Sequence, residues 1–268
     1  MPFERVTTAP KLGATFTDDI EIFNNGRVPV QVSASVQDWS LSPSGKKIYA
    51  LAGSSPQSLG AILRLNPTDF SIPPRKSQRV RYSVAVPANM KSELRAMIFF
   101  TTRPLPVVGA GVSLNVSTRL GSSLFLLPPK SVTVAPQLKV SALNIVGDKP
   151  QIVASVENSG TSSTRLRGTI EARDAAGVLI ASGVLPSTQL LSGGAREIVA
   201  QWKTSLPAGN YLFKTVLDSG RGKLIADERR VTLIAPIEAT VAPTPKVAPS
   251  KTIAPKVTAP IVAAPATS

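Results

Sequence analysis

The chain has 268 residues, of which 43% are apolar, 17% are charged and 24 are prolines, and its formal net charge is +14. It contains no histidine and no cysteine. This excludes histidine-dependent triads, histidine general bases, thiolate nucleophiles, cysteine zinc sites and disulfides. Proline removes a backbone donor and clashes inside a helix, so this density leaves room for few long helices. The charge is spread, with +8 over 1–135, +4 over 136–235 and +2 over 236–268. Aromatic residues make up only 5%. A nucleic-acid interface would concentrate basic residues on one face and interleave aromatics. The spread charge instead reads as solubility with weak attraction to anionic surfaces.

The first predicted strand is "TFTDDIEIF", with Phe16, Ile20 and Ile22 alternating with polar residues before "NNG" at 24–26. Asn-Gly tolerates positive φ and predicts a tight turn. "VPVQVSASVQDW" places Val28, Val30, Val32, Ala34 and Val36 on one face. "SLGAILRLNP" and "SQRVRYSVAVP" predict two further strands ending at Pro67 and Pro87, and "LRAMIFFTTRP" another. After a Pro/Gly loop at 104–111 comes "VSLNVSTRLGSSLFL", 112–126. Its even positions (Val112, Leu114, Val116, Thr118, Leu120, Ser122, Leu124, Leu126) are mostly apolar, while its odd ones are small or polar until Phe125. Successive strand side chains point to opposite faces, so this is one long strand with an apolar face. About seven strands with regular turn signals predict an antiparallel β-sandwich over 1–135.

Residues 136–235 repeat the pattern. "QIVASVENSG" parallels "DIEIFNNG", with Asn158 and Gly160 matching Asn24 and Gly26. "TRLRGTIEARDAAG" follows, then three strands with turns at Pro207–Gly209 and Ser219–Gly222. The expected fold class is all-β: two immunoglobulin-like antiparallel β-sandwiches, 1–135 and 136–235, and a tail over 236–268. The tail is Pro, Ala, Val, Thr and Lys without aromatics, a composition expected to be disordered and extended. Its Lys246, Lys251 and Lys256 would meet an anionic cell-envelope polymer or simply be solvated.

No catalytic constellation emerges. Asp18, Asp19 and Glu21 form one acidic cluster, with Asp19 and Glu21 sharing a strand face and Asp18 pointing away. Three carboxylates without further ligands make a poor calcium site, and a solvated strand edge is the plainer reading. The expectation is therefore no enzyme, no cofactor and no metal. No stretch is long and apolar enough to span a membrane, so no membrane insertion is expected. "MPFERVTTAP" lacks the charged-then-apolar layout of a secretory leader. The apolar even face has two readings. It belongs to this protein's own core, or it is an edge that adds a strand to a partner's sheet.

Four stretches, in order, resemble the periplasmic pilus-assembly (usher-pathway) chaperones over about residues 2–130. They are "IEIFNNGRVPVQVSASVQDWSL", "LRLNPTDFSIPPRKSQRVRYSVAVP", "LRAMIFFTTRP" and "VSLNVSTRLGSSLFLLP". The resemblance implies binding of a pilin or surface-fibre subunit, and dealings with an outer-membrane usher. It implies that the last strand of the first domain completes the subunit's fold. Val112, Leu114, Val116, Thr118 and Leu120 match the donor positions. The family also anchors the subunit's C-terminal carboxylate with two basic residues. Here the last-strand lysine falls on Gly121, leaving Arg119 as substitute, with Arg5 (Lys11 as the weaker candidate) on the first strand. The second half looks like a generic bacterial immunoglobulin-like module. Export to the periplasm is implied, and a leader preceding Met1 is expected. The alternative reading is a structural or adhesive cell-surface protein tethered through its tail.

Overall fold

In the computed structural model, residues 3–103, 117–129, 137–146, 151–202, 206–220 and 224–234 are described. The expected 135/136 boundary and the tail from 236 onward lie outside these residues, as do Val112, Leu114 and Val116.

The chain is all-β. Its first nine strands are β1 (Phe3–Thr8), β2 (Thr15–Phe23), β3 (Val30–Leu41), β4 (Lys47–Leu51), β5 (Leu63–Asn66), β6 (Asp69–Ile72), β7 (Ser77–Ala85), β8 (Leu94–Arg103) and β9 (Arg119–Leu127). One sheet runs β1-β9-β8-β3-β4, with β6 also paired to β3, and the facing sheet is β2-β7-β5. Val32, Leu63, Ile72, Val80, Tyr82, Val84, Ile98, Phe100, Leu124 and Leu126 fill the space between them. The alternation read from the sequence is the cause. Phe16, Ile20 and Ile22 on β2 and Val80, Tyr82 and Val84 on β7 all point inward. β8 is buried on both faces from Leu94 to Phe100.

The remaining strands are β10 (Leu138–Val146), β11 (Gln151–Asn158), β12 (Thr164–Arg173), β13 (Leu179–Leu190), β14 (Ala195–Val199), β15 (Gln201–Trp202), β16 (Gly209–Asp218) and β17 (Leu224–Leu233). They form sheets β10-β11-β14 and β15-β13-β12-β16-β17 over a second core that includes Val156, Leu166, Ile170, Leu185, Phe213 and Leu217. The Tyr211 hydroxyl donates to the Pro207 carbonyl at 2.9 Å, the tyrosine corner of immunoglobulin-like sandwiches.

Two local findings refine the sequence reading. β1 lies parallel to β9, from Phe3↔Ser122 to Thr8↔Leu127, although antiparallel pairing was expected throughout. Because β1 and β2 belong to opposite sheets, β1 is free to run alongside β9. The paired Asn-x-Gly turns are real, but asparagine rather than positive-φ glycine holds them. The Asn24 and Asn158 Oδ1 atoms each accept from the glycine N–H two residues on, at 2.9 Å. Each Nδ2 donates to the carbonyl four residues on, at 2.8 and 2.9 Å. Gly26 and Gly160 are not among the positive-φ residues.

A third apolar cluster joins the two sandwiches: Trp39, Met97, Phe99 and Phe125 from the first and Leu191 from the second. Beside it the Glu93 carboxylate accepts from the Ser163 N–H and hydroxyl, and the Glu93 N–H donates to the Thr161 carbonyl at 2.9 Å. Arg95 pairs with Glu93 at 3.4 Å, their side chains only 7% and 1% exposed.

Candidate functional site: the open edge of β9

β9 carries both halves of the alternation. Leu124 and Leu126, 1% exposed each, belong to the protein's own core. Phe125, on the opposite face, packs at the junction between sandwiches. The change comes at Ser122. From Ser122 to Leu127, β9 is flanked by β1 on one side and β8 on the other. From Arg119 to Gly121 only β8 pairs with it, so among the described residues this stretch has an open outer edge. Leu120, on the same face as Leu124, is 55% exposed there, and Thr118 is exposed just upstream.

A cleft of about 1050 Å³ wraps this edge. Ile20, Ile22, Phe100 and Leu120 line one side; Tyr49, Met97, Phe99 and Arg119 line the other. Unpaired backbone between two apolar walls is what an added strand needs, because main-chain groups there find partners only in another chain or in water.

Arg5 and Arg119 border the cleft from opposite faces of the sheet. Arg5 pairs in register with Leu124 and turns to the sandwich interior. There its Nη1 lies 3.1 Å from the Asp18 carboxylate and donates to the Asp19 carbonyl at 2.6 Å. Arg119 stacks its guanidinium 3.5 Å above the Phe99 ring and donates to Gln37 Oε1 at 3.0 Å. The structure therefore does not bring the two together on one face. Gly121 has a steric reason: a Cβ there would stand 3.1 Å from the Phe99 ring and 3.2 Å from Met97 Sδ, so a lysine would displace that packing. Lys47 also lines the cleft, its Nζ 5.3 Å from the Trp39 ring centre. Among the described residues neither Arg119 nor Lys47 has a carboxylate in ion-pair range. Sequence reading missed Lys47, because nothing in "KIYAL" marks it as facing the last strand.

The acidic cluster divides as its alternation predicts. Asp18 points inward to Arg5 and accepts from the Tyr82 hydroxyl at 2.9 Å. Asp19 and Glu21 face outward, Asp19 3.9 Å from Arg79 and Glu21 accepting from Ser77. Among the described residues, no group of three or more carboxylates, histidines or cysteines could hold a metal.

Burial first, and then the bond to Asp18, raise the Tyr82 phenol above its ordinary value. A raised folded-state pKa gives stability that is present below the unfolded value of about 10 and fades as pH rises through the folded one. Stability should therefore fall above about pH 10, and Tyr82→Phe should flatten that slope in urea titrations at increasing pH. An unchanged slope in Tyr82→Phe would assign alkaline loss to other groups.

No family model and no curated protein matches the sequence. Solved structures do match. A chaperone–tip adhesin complex of CFA/I fimbriae is 9% identical over 85% of this chain and 96% of that one, with a TM-score of 0.50. This chain has the fold of a fimbrial chaperone. Coverage of 85% carries the likeness beyond residues 1–135 into the second sandwich, further than the sequence resemblance reaches. Two other matches are weaker. The CsuC–CsuE chaperone–tip adhesion subunit complex of Acinetobacter baumannii is 16% identical over 84% of this chain and 94% of that one, TM-score 0.47. The SafA pilin–SafB chaperone complex of Salmonella enterica is 14% identical over 84% and 99%, TM-score 0.41.

Proposed function

We propose that this protein is a non-enzymatic, exported assembly chaperone that holds pilin or surface-fibre subunits by donating an edge strand. The observation that carries the reading is the open edge of β9 at Arg119–Gly121, with its cleft and its exposed Leu120. The donor strand comprises Val112, Leu114, Val116, Thr118 and Leu120. The subunit's incomplete sheet gains backbone partners along this edge, and its exposed core slot gains the even-numbered apolar side chains. The likeness to a solved chaperone–tip adhesin complex supports the same role.

For the subunit's terminal carboxylate, Arg119 and Lys47 are the available cations on one face of the cleft. Arg5 lines the cleft on its other face, where it pairs with Asp18. An arginine fork matches a carboxylate better than a solvated ammonium does. Delivery to an outer-membrane usher and contact of the tail lysines with anionic envelope polymers belong to the same reading.

The test is co-expression with fibre subunits encoded by neighbouring genes, followed by pull-down on this chain. A stable complex is expected from the wild type and none from Val116→Glu, which sets a charge in an apolar groove. Equal recovery of both would exclude strand donation.

A further inference from the structure

We propose that the tip of the first sandwich is a docking surface for an anionic lipid bilayer. Two loops meet there, 24–29 after β2 and 73–76 before β7. Asn24, 6% exposed, fastens them together. Its Nδ2 donates to the Val28, Ile72 and Pro73 carbonyls at 2.8, 3.0 and 3.2 Å. Its N–H donates to the Lys76 carbonyl at 2.9 Å, and its carbonyl accepts from the Arg75 N–H at 3.0 Å. Arg75 is held at a φ of 58°, which an arginine adopts rarely.

This rigid base displays two apolar side chains, Phe23 at 53% and Val28 at 64% exposure. Arg27, Arg75 and Lys76 stand on the same two loops, all exposed. Neither loop contains an acidic residue, and among the described residues none of the three cations has an ion-pair partner. Glu21, on the adjoining β2 face, is occupied by Ser77 and lies opposite Arg79.

Shallow apolar tips ringed by unpaired cations are what a bilayer interface rewards. The apolar groups enter the headgroup boundary, and each Lys or Arg gains from the negative surface potential. A protein interface of ordinary size needs about 800 Å² per partner, more than two such side chains supply at their core. Phe23 also lines the cleft beside β9, whereas Val28, Arg27, Arg75 and Lys76 do not, and lipid binding is read without a fibre subunit, so the proposal is tested apart from strand donation.

The full chain is tested by co-sedimentation with phosphatidylcholine vesicles, with and without phosphatidylglycerol. Binding is expected only with phosphatidylglycerol. The double variant Arg27→Glu/Lys76→Glu, at exposed positions, should weaken it about a hundredfold, and Phe23→Ser/Val28→Ser about tenfold. Binding that survives the charge reversal would show that the spread charge or the tail lysines carry it, and would overturn the proposal. Equal binding to both vesicle types would overturn it too. Capture by vesicles bearing outer-membrane proteins, but not by lipid alone, would assign the tip to a protein partner instead.

Discussion

Glu93→Ala should cost about 3–5 kcal/mol of stability. Two effects combine. The variant strands Arg95, whose guanidinium burial already pushes below its ordinary value and which the Glu93 carboxylate supports. It also leaves the Ser163 N–H and hydroxyl without their acceptor at the junction of the sandwiches. An unpaired buried charge costs far more than a lost surface pair, and an orphaned donor adds its own desolvation penalty. Replacing both ions, as Glu93→Leu/Arg95→Met, should recover part of the loss but not all, since Ser163 stays unsatisfied. Urea unfolding followed by tryptophan fluorescence reads the effect directly, because Trp39 sits buried in the joining cluster. A loss below about 1 kcal/mol would mean that the apolar contacts of Phe125 and Leu191 hold the junction by themselves.

Leu120→Asp should behave in the opposite way. Its side chain is 55% exposed, so stability should change by no more than about 0.5 kcal/mol. Recovery of a fibre subunit in the co-expression pull-down should fall about a hundredfold or vanish, because the carboxylate would enter an apolar slot with no partner. Leu120→Val keeps the apolar contact and should keep most of the binding. The contrast with Leu124 is informative. That residue lies four positions on along the same face but is 1% exposed in the protein's own core, so Leu124→Asp should unfold the first sandwich. On the proposed reading the apolar face of the last strand has two owners, and the division falls at Ser122, where β1 begins to cover the edge.

Much of the fold follows from local patterning. "TFTDDIEIF" matches β2 residue for residue because one face is half-buried against the core and the other is wet. Strands whose pattern is broken were harder to see. β13 carries Pro186 in its middle, which denies it a regular alternation. In the structure the pairing with β12 slips from Leu166↔Thr188 to Gly168↔Leu185, leaving Pro186 and Ser187 in a bulge. β4 and β6 have five and four residues, too short for periodicity to declare itself. The likeness of the Asn24 and Asn158 turns was visible as a repeated triplet, but the side-chain bonds that make both turns need the carbonyls around them.

The candidate site was legible in part for the same reason. Leu120 follows from alternation alone. The separation of Arg5 from Arg119 does not, because it depends on the parallel register of β1 on β9, which places Arg5 beside Leu124. Likewise Gly121 reads as a missing lysine until Phe99 and Met97 are seen filling the space that a side chain would take.

Strand donation is tested most directly by amide hydrogen exchange over residues 117–122 in the purified protein, alone and in complex with a fibre subunit. In the free protein the outward N–H groups of Arg119–Gly121, which have no strand partner among the described residues, should exchange quickly. In the complex they should become protected along with residues 112–116, while Ser122–Leu127, already paired on both sides, change little. A bound subunit that leaves exchange across 112–121 unaltered would show that it is held elsewhere, and would contradict strand donation.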